Sequence, residues 1–516
     1  MPRMGSPNPR NDARKVGPLA SHTAKKTREA YLGSSRRSHP RHSASSWRIR
    51  HRLLRIIACV VTAALVFVGT VAATTWLSLN DAIIDGKVES LIPQEERFDP
   101  NKGKAIKFVL IGQDTRDDGN ADLSGGLHDG EDGLHNADTT MVVDISADRS
   151  FINIVSIPRD SIVDVPSCKT TGGKDIPAQY GVMFNSVFST AYREGGDLST
   201  AASCTVTAVN SLTGMHITNF IVVDFKGLAD MIDAIGGVDV CIPVDTVDPN
   251  TDMDLRKGLH HLDGRAATNY ARMRHGSGTD GSDIMRTTRQ QYLIKSVINE
   301  AISKNMFTQT NELYQLALAA LRSLNISSGM ADTNALVSLA LSLRNLDISH
   351  VYAQTVPVVP APFDPNRVVW ADTADEVWHE LRDDKPLYGG DEVDTKEDDA
   401  PQTDQDEPNQ DDNASPTESA SPSNSTSPSE GVSPSESDAP APSDGTTATP
   451  TAKPQPTVDP KTGLIKQEDG TLIDPDTNGT VDPENGAITD PDTGQYIGIA
   501  YQYLNSTICS VPTKNE

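Results

Sequence analysis

The sequence predicts an α/β chain: an αβα sandwich with a central mixed sheet flanked by helices, preceded by one transmembrane helix and followed by a disordered acidic Ser/Pro-rich tail. Three observations carry that reading. Between residues 104 and 387 short apolar runs alternate with segments of helical period, the pattern of strands feeding helices around one sheet. Before it stands a run of 24 residues without a charge, Ile56 to Leu79. After it the chain turns Asp/Glu-rich and then Ser/Pro/Thr-rich, too polar to bury a core.

Residues 1–55 hold 14 Lys or Arg against Asp12 and Glu29 alone, which reads as a disordered basic leader. The run 56–79 is long enough for a tilted transmembrane helix, with Trp76 near its far end, where interfacial aromatics collect. The positive-inside rule keeps the basic side in the cytoplasm, so the expectation is a single-pass type II anchor in the cell membrane with everything after Leu79 outside. A cleaved signal peptide is the rival, because Val71-Ala72-Ala73 offers small residues; the long leader and long run favour the anchor. A connector, 80–103, leads to the folded domain at 104–387.

In that domain Lys107 to Ile111 reads as a buried strand delivering Gly112-Gln113-Asp114, followed by a long Gly/Asp/His loop from Asp117 to Asn136. Strands are expected over Thr140 to Ile145 and Ile152 to Ile157, the latter ending in Pro158-Arg159-Asp160. Ile217 to Asp224 reads as a strand, Phe225 to Ile235 as a helix stopped by Gly236-Gly237, and Val238 to Ile242 as a strand. From Asp283 a helix places Arg286, Gln290, Leu293 and Val297 along one side, widened by Ile294 and Ile298. Helices around Glu312–Asn325 and Asp332–Leu343, a strand near Ser349–Val358 and a helix near Ala371–Arg382 complete the domain.

Residues 388–457 read as an extended linker. In 458–516, Asp-Pro recurs at Asp459, Asp474, Asp482 and Asp490, each closed by a glycine, which predicts small turns or hairpins; calcium or wall binding is an alternative role. Tyr496 to Val511 is apolar enough to dock back on the domain.

Net charge is −26, and residues 391–516 carry most of the excess acid, so nucleic acid is excluded as a partner. Cys59 lies in the apolar run; Cys168, Cys204, Cys241 and Cys509 form an even set outside it, where disulfides persist. Cys168 with Cys204 is the favoured pair because both flank one loop-rich insertion, and Cys241 with Cys509 follows by elimination; buried free thiols are the alternative. No Cys-x-x-Cys or spaced His pair suggests zinc.

Charged residues at the ends of these elements form the candidate site. Asp114 follows a strand and Asp138 precedes the next, so two carboxylates from adjacent loops suit one Mg2+ or Mn2+ that takes its remaining ligands from phosphates. Arg272 and Arg274, two apart, face one way if the segment is extended; Arg286 and Gln290 share a helix face; Arg159 ends its strand beside a proline. Singly each is read as a solvated surface group, but together the arginines suit a diphosphate, which guanidinium forks grip bidentately.

The motifs Gly112-x-Asp114-x-Arg116, Asp138-Thr139, Ile157-Pro158-Arg159-Asp160, Val223-Asp224-Phe225, Gly236-Gly237-Val238, Leu262-x-Gly264, Tyr270-x-Arg272-x-Arg274 and Arg286-x-x-Arg289-Gln290-Gln291 resemble, in this order, the LytR-CpsA-Psr family of Gram-positive and actinobacterial cell-wall proteins. The resemblance covers roughly 104–387. It implies an Mg-dependent transferase that moves a glycopolymer from a polyprenyl-diphosphate carrier to peptidoglycan through a phosphodiester. It further implies that Asp114 and Asp138 hold the metal, that Arg116, Arg159, Arg272, Arg274, Arg286, Arg289 and Gln290 bind the diphosphate, with Arg159, Arg272, Arg274 and Arg286 catalytic, that Asp283 orients arginines, and that an apolar cavity takes the lipid tail. One position departs from the pattern: Asn136 stands where many members carry arginine, and His128 and His135 nearby read as solvated loop residues. No general base is evident, with Asp114 or Asp160 conceivable. A polyprenyl-diphosphate hydrolase and a non-catalytic wall-binding or signalling anchor are the rival functions.

Overall fold

The structure is a computed structural model that describes residues 44–94, 98–115, 117, 120–123, 135–274, 276–277, 279, 281–303, 318–319, 321–387, 457–491 and 494–510. The first 43 residues, Arg116, His128 and the linker through 456 therefore lie outside the described residues.

The uncharged run sits in a helix, α1 (Ala44–Asp85), whose stretch Leu54–Asp85 holds an 18-residue window of mean hydropathy 2.6 and is long and apolar enough to cross a membrane. Ala82 and Ile83 near its end are buried in the domain that follows, and Gly86 leads into β1 (Lys87–Val88).

Three long antiparallel strands come next: β2 (Ile106–Thr115), β3 (His135–Ile145) and β4 (Ile152–Ile157). Their alternation splits the side chains between two cores. Val109, Ile111, Val142, Val155 and Ile157 enter one cluster, and Ile106, Phe108, Met141, Val143, Ile152 and Ile154 the other. The first cluster is covered by α2 (Asn185–Gly195) and α3 (Leu198–Thr213), through residues such as Phe188, Val206 and Val209. These two helices were not read from the sequence.

The chain returns through β5 (Asn219–Asp224), α4 (Phe225–Ala234) and the hairpin β6 (Val238–Ile242) with β7 (Gly258–Leu262). Helix α5 (Gly264–Arg272) follows, then α6 (Asp283–Ser303). Aspartates begin α3, α4 and α5: the side chains of Asp197, Asp224 and Asp263 accept from backbone N–H groups three residues on. β8 (Leu324–Ser327), α7 (Thr333–Ser342) and β9 (Val351–Thr355) complete the sheet, and α8 (Ala374–Arg382) closes the first core with Trp378 and Leu381. The second core receives Ile294, Ile298 and Ile302 of α6 with Leu336 and Leu339 of α7.

The sheet has seven strands in the order β1-β8-β5-β2-β3-β4-β9, with parallel pairs β1/β8, β5/β2 and β4/β9 and the rest antiparallel. It is the mixed, two-sided sandwich expected. Three boundaries differ. The first strand runs on to Thr115 rather than stopping at Ile111, so Asp114 lies inside it and not after it. Leu324 and Asn325, read as the end of a helix, open β8, because Leu324 and Ile326 pair against Val223 and Ile221 on a buried edge; residues 304–317 of that expectation lie outside the described residues. The second strand begins at His135 rather than Thr140, so Asp138 lies inside it.

The C-terminal turns are more than local. Ile465–Lys466, Leu472–Ile473, Thr480–Val481, Ala487–Thr489 and Tyr496–Ile499 form one five-stranded antiparallel meander. Its small core is Leu464, Val481, Ile488, Ala500 and Tyr503. Leu504 joins Cys241, Tyr292 and Leu293 in the domain, Tyr292 Oη donates to Asn505 Oδ1 at 2.9 Å, and Cys509 is disulfide-bonded to Cys241. A second disulfide joins Cys168 to Cys204.

Candidate active site

The site lies at the ends of β2, β3 and β4, under the first turns of α6. A bulge sets it up. Gly112 pairs with Thr139 and Gln113 with Ala137, so Asp138 is the extra residue of β3. Strict alternation would send Asp138 and Thr139 to opposite faces; here both meet α6, Asp138 through Arg286 and Thr139 by donating from Oγ1 to Gln290 Oε1 at 2.9 Å. Gly112 permits the pairing, because a Cβ there would stand 2.9 Å from the Thr139 Cβ.

Asp138 and Asp283 share three arginines. Arg159 Nη1 donates to Asp138 Oδ1 at 3.0 Å and its Nε stands 3.4 Å from Asp283 Oδ1. Arg286 donates to Asp138 Oδ2 at 3.2 Å, to the Asp138 carbonyl at 2.9 Å and to Asp283 Oδ1 at 2.6 Å. Arg274 Nη2 donates to Asp283 Oδ1 at 3.2 Å. Asp283 thus meets all three guanidinium groups, and it also accepts from the Arg159 backbone N–H at 3.3 Å.

Burial works against charge on the Asp138 carboxyl, but Arg286 and Arg159 outweigh it and hold the group below the usual carboxylate range. Arg159 is buried too, yet Asp138, Asp283 and Asp160 raise it. Arg274 moves the other way: burial and the like charges of Arg286 and Arg159 lower it despite Asp283 and Asp138. The Nε groups of Arg159, Arg274 and Arg286 are buried without a hydrogen bond. Three guanidinium groups converge here, with Nε donors that make no hydrogen bond and one arginine destabilised by its neighbours, an arrangement with the chemistry to receive an anion.

The remaining candidates sort differently. Arg272 is the last residue of α5, not part of an extended segment: Ala267, Tyr270 and Ala271 are buried at helical spacing, a signal present in the sequence but overridden by the Arg-x-Arg alternation. Its guanidinium lies 4.6 Å over the Phe225 ring and donates to the Leu123 carbonyl at 2.9 Å, so the two arginines have different partners. Arg289 is buried and donates to the Met273 carbonyl, holding the segment that presents Arg274. Gln290 is also buried and ties β3 to the Ala271 carbonyl at 3.2 Å. Asp114 is half-buried, opposite Asn136 in the ladder. His135 is not solvated: it stacks on Tyr192 with ring centroids 3.6 Å apart and meets the Gln113 amide at 2.7 Å.

Arg367 escaped the sequence reading. A hairpin, Val358–Ala361 with Asp364–Trp370, brings it 2.7 Å from Asp160, 207 positions away, a pairing with no local signal.

Among the described residues no group of three or more His, Cys, Asp or Glu side chains is arranged to hold a metal. Two carboxylates on adjacent strands, completed by phosphate oxygens and water, suit Mg2+, and Asp138 keeps lone pairs beyond its arginine bonds.

The LytR_cpsA_psr family model matches residues 73–383, more than half of the sequence. The chain belongs to the LytR-CpsA-Psr family. Similar proteins include the cell wall biosynthesis protein LcpA of Corynebacterium glutamicum, 29% identical over 268 residues, 49% of this chain and 50% of that one. The polyisoprenyl-teichoic acid–peptidoglycan teichoic acid transferase TagV of Bacillus subtilis is 28% identical over 202 residues, 38% of this chain and 46% of that one. A solved LytR-CpsA-Psr-type structure, the LytR-Csp2A-Psr enzyme from Actinomyces oris, aligns at 20% identity and TM-score 0.39 over 57% of this chain and 94% of that one. The chain spans about half the length of the curated relatives it matches.

Proposed function

We propose that this LytR-CpsA-Psr protein is a membrane-anchored phosphotransferase that moves a glycopolymer from a polyprenyl-diphosphate carrier to peptidoglycan, outside a Gram-positive, actinobacterial cell. The observation that carries the proposal is the cluster of Arg159, Arg274 and Arg286 on Asp138 and Asp283. The teichoic acid transferase activity of TagV and the similarity to LcpA support it.

A sugar hydroxyl of the wall forms a bond to the polymer-side phosphorus as the bond to the bridging oxygen breaks, leaving polyprenyl phosphate. The arginines orient the diphosphate and neutralise charge gathering on the departing phosphate, pre-aligned by carboxylates that need not move. Arg274 gains most, since an anion relieves the repulsion it feels from Arg159 and Arg286. Asp114 and Asp138 would hold Mg2+ or Mn2+, which when bound supplies further neutralisation of phosphate charge.

The test is a transfer assay with a purified full chain, a polyprenyl-diphosphate saccharide and a peptidoglycan oligomer. A phosphodiester-linked product, lost on chelation, is expected. Release of saccharide phosphate with no conjugate would make the protein a hydrolase instead, and full activity in excess chelator would remove the metal role.

A further inference from the structure

Helix α7 is apolar on two sides. Leu336 and Leu339, with Leu343 just past its end, pack into the second core, while Val337 and Leu341, one turn apart, are each 46% exposed on the outside. No charged residue occurs between Asp332 and Arg344. Compare α8, which buries Trp378 and Leu381 and exposes Asp375, Glu376 and His379, the ordinary pattern of a helix between core and water. A helix apolar on both sides needs a second apolar partner.

Its position identifies that partner. Thr333, the first residue of α7, donates from Oγ1 to Asn80 Oδ1 at 3.2 Å, and Asn80 directly follows the uncharged run that ends at Leu79. The start of α7 is therefore fixed by a hydrogen bond to the residue at which the apolar span meets water. Along a helix, Val337 and Leu341 lie about 6 and about 12 Å from Thr333, so the exposed stripe stays close to the end of the apolar run. Arg344 is exposed just beyond the stripe, and an arginine in such a place can lay its stem along apolar surface while its head reaches lipid phosphates.

We infer that the Val337–Leu341 face of α7 docks on the outer surface of the lipid bilayer, beside the point where α1 emerges. The inference rests on the anchor reading. A helix on its flank holds the domain against the surface at a second point, so that the arginine site keeps one height and orientation above the plane in which a lipid-linked substrate diffuses.

The experiment uses the full chain with Cys59→Ala, reconstituted in phosphatidylglycerol/phosphatidylcholine vesicles. Single cysteines at Val337, Leu341, Leu65 and the exposed Tyr180 carry an environment-sensitive fluorophore. At Val337 and Leu341, blue-shifted emission and its loss to lipids bearing acyl-chain nitroxides are expected, with quenching by aqueous iodide only at Tyr180. Iodide quenching at both α7 positions overturns the inference. Blue-shifted emission untouched by nitroxide lipid also overturns it, since protein would then cover the face. A Leu65 probe that lipid fails to quench sinks the anchor reading itself, separately from the α7 result.

Discussion

Two charge clusters in this protein set cations against aspartates, arginines in one and a lysine in the other, and burial weighs differently in each. At the sheet end, two carboxylates are divided among three arginines, and Asp138 stays ionised below its usual range. Where the meander meets α6, one ammonium faces two carboxylates: burial lowers Lys295 to about 8, although Asp476 and Asp474 oppose this, and burial with Asp474 raises Asp476 to about 6. Lys295 also lies 4.8 Å over the Tyr501 ring. In the first cluster the arginines hold Asp138 in its charged form; in the second, burial favours the neutral forms of Lys295 and Asp476, and the group sits at a joint. What separates the two is whether the neighbouring opposite charges outweigh burial: they do for Asp138 and do not for Lys295.

The largest effect that could break this contrast concerns Arg286. Arg286→Ala leaves Asp138 and Asp283 less compensated, with an expected stability cost of roughly 3–5 kcal/mol and a turnover loss on the order of 100- to 1000-fold. Arg274→Ala should lose a comparable rate while leaving the melting curve nearly unchanged, because Arg274 is more exposed and touches Asp283 alone among the carboxylates in hydrogen-bond contact. A wild-type transfer rate in Arg274→Ala would end the anion-site reading.

Next comes the joint's covalent lock. Replacing Cys241 and Cys509 by serine should cost roughly 2–4 kcal/mol, seen as a lower melting temperature and protease-sensitive meander strands. An unchanged melting curve would show that apolar packing around Leu504 suffices.

The third effect is pH-dependent. Asp476 has a raised folded pKa, so the folded chain holds the proton more tightly than the unfolded one and stability falls as pH rises from the ordinary 3.8 to about 6. Lys295 is lowered, so stability recovers between about 8 and the ordinary 10.5. Asp476→Asn should flatten the acid slope by no more than about 1 kcal/mol, because Asp476 is exposed and water screens its charge, in melting temperatures measured from pH 4 to 7; an equal slope in both proteins would assign it elsewhere. The smallest effect is at the rim: Arg367→Ala, which frees Asp160 from a half-exposed pair, should cost no more than about 1 kcal/mol of stability and is checked by denaturant titration.

What the sequence disclosed follows from how local each feature is. The strands around Val109, Val142 and Val155 were legible from apolar runs, and the fan of arginines from their clustering at element ends. The bulge at Asp138 was not, because nothing in Asn136-Ala137-Asp138-Thr139 marks an extra residue until Gly112 is laid against Thr139. Arg272 was misplaced because its alternation with Arg274 imitates a strand while Ala267, Tyr270 and Ala271 keep helical spacing. Arg367 and Asp160 meet only through the fold. In the tail, the turns were visible from Asp-Pro and Gly, but their pairing into one meander depends on register, which turn chemistry alone does not fix across five strands.

The bond between Cys241 and Cys509 spans 268 positions and encloses the whole linker between Leu387 and the meander. The polypeptide from one cysteine to the other is therefore a covalent ring. A protease that cuts the Ser/Pro-rich stretch opens the ring without releasing anything: the nicked molecule keeps its full mass until a reductant is added, and only then separates into two pieces. Wherever reductant is scarce, the C-terminal module stays attached to the domain even after the polypeptide between them has been severed.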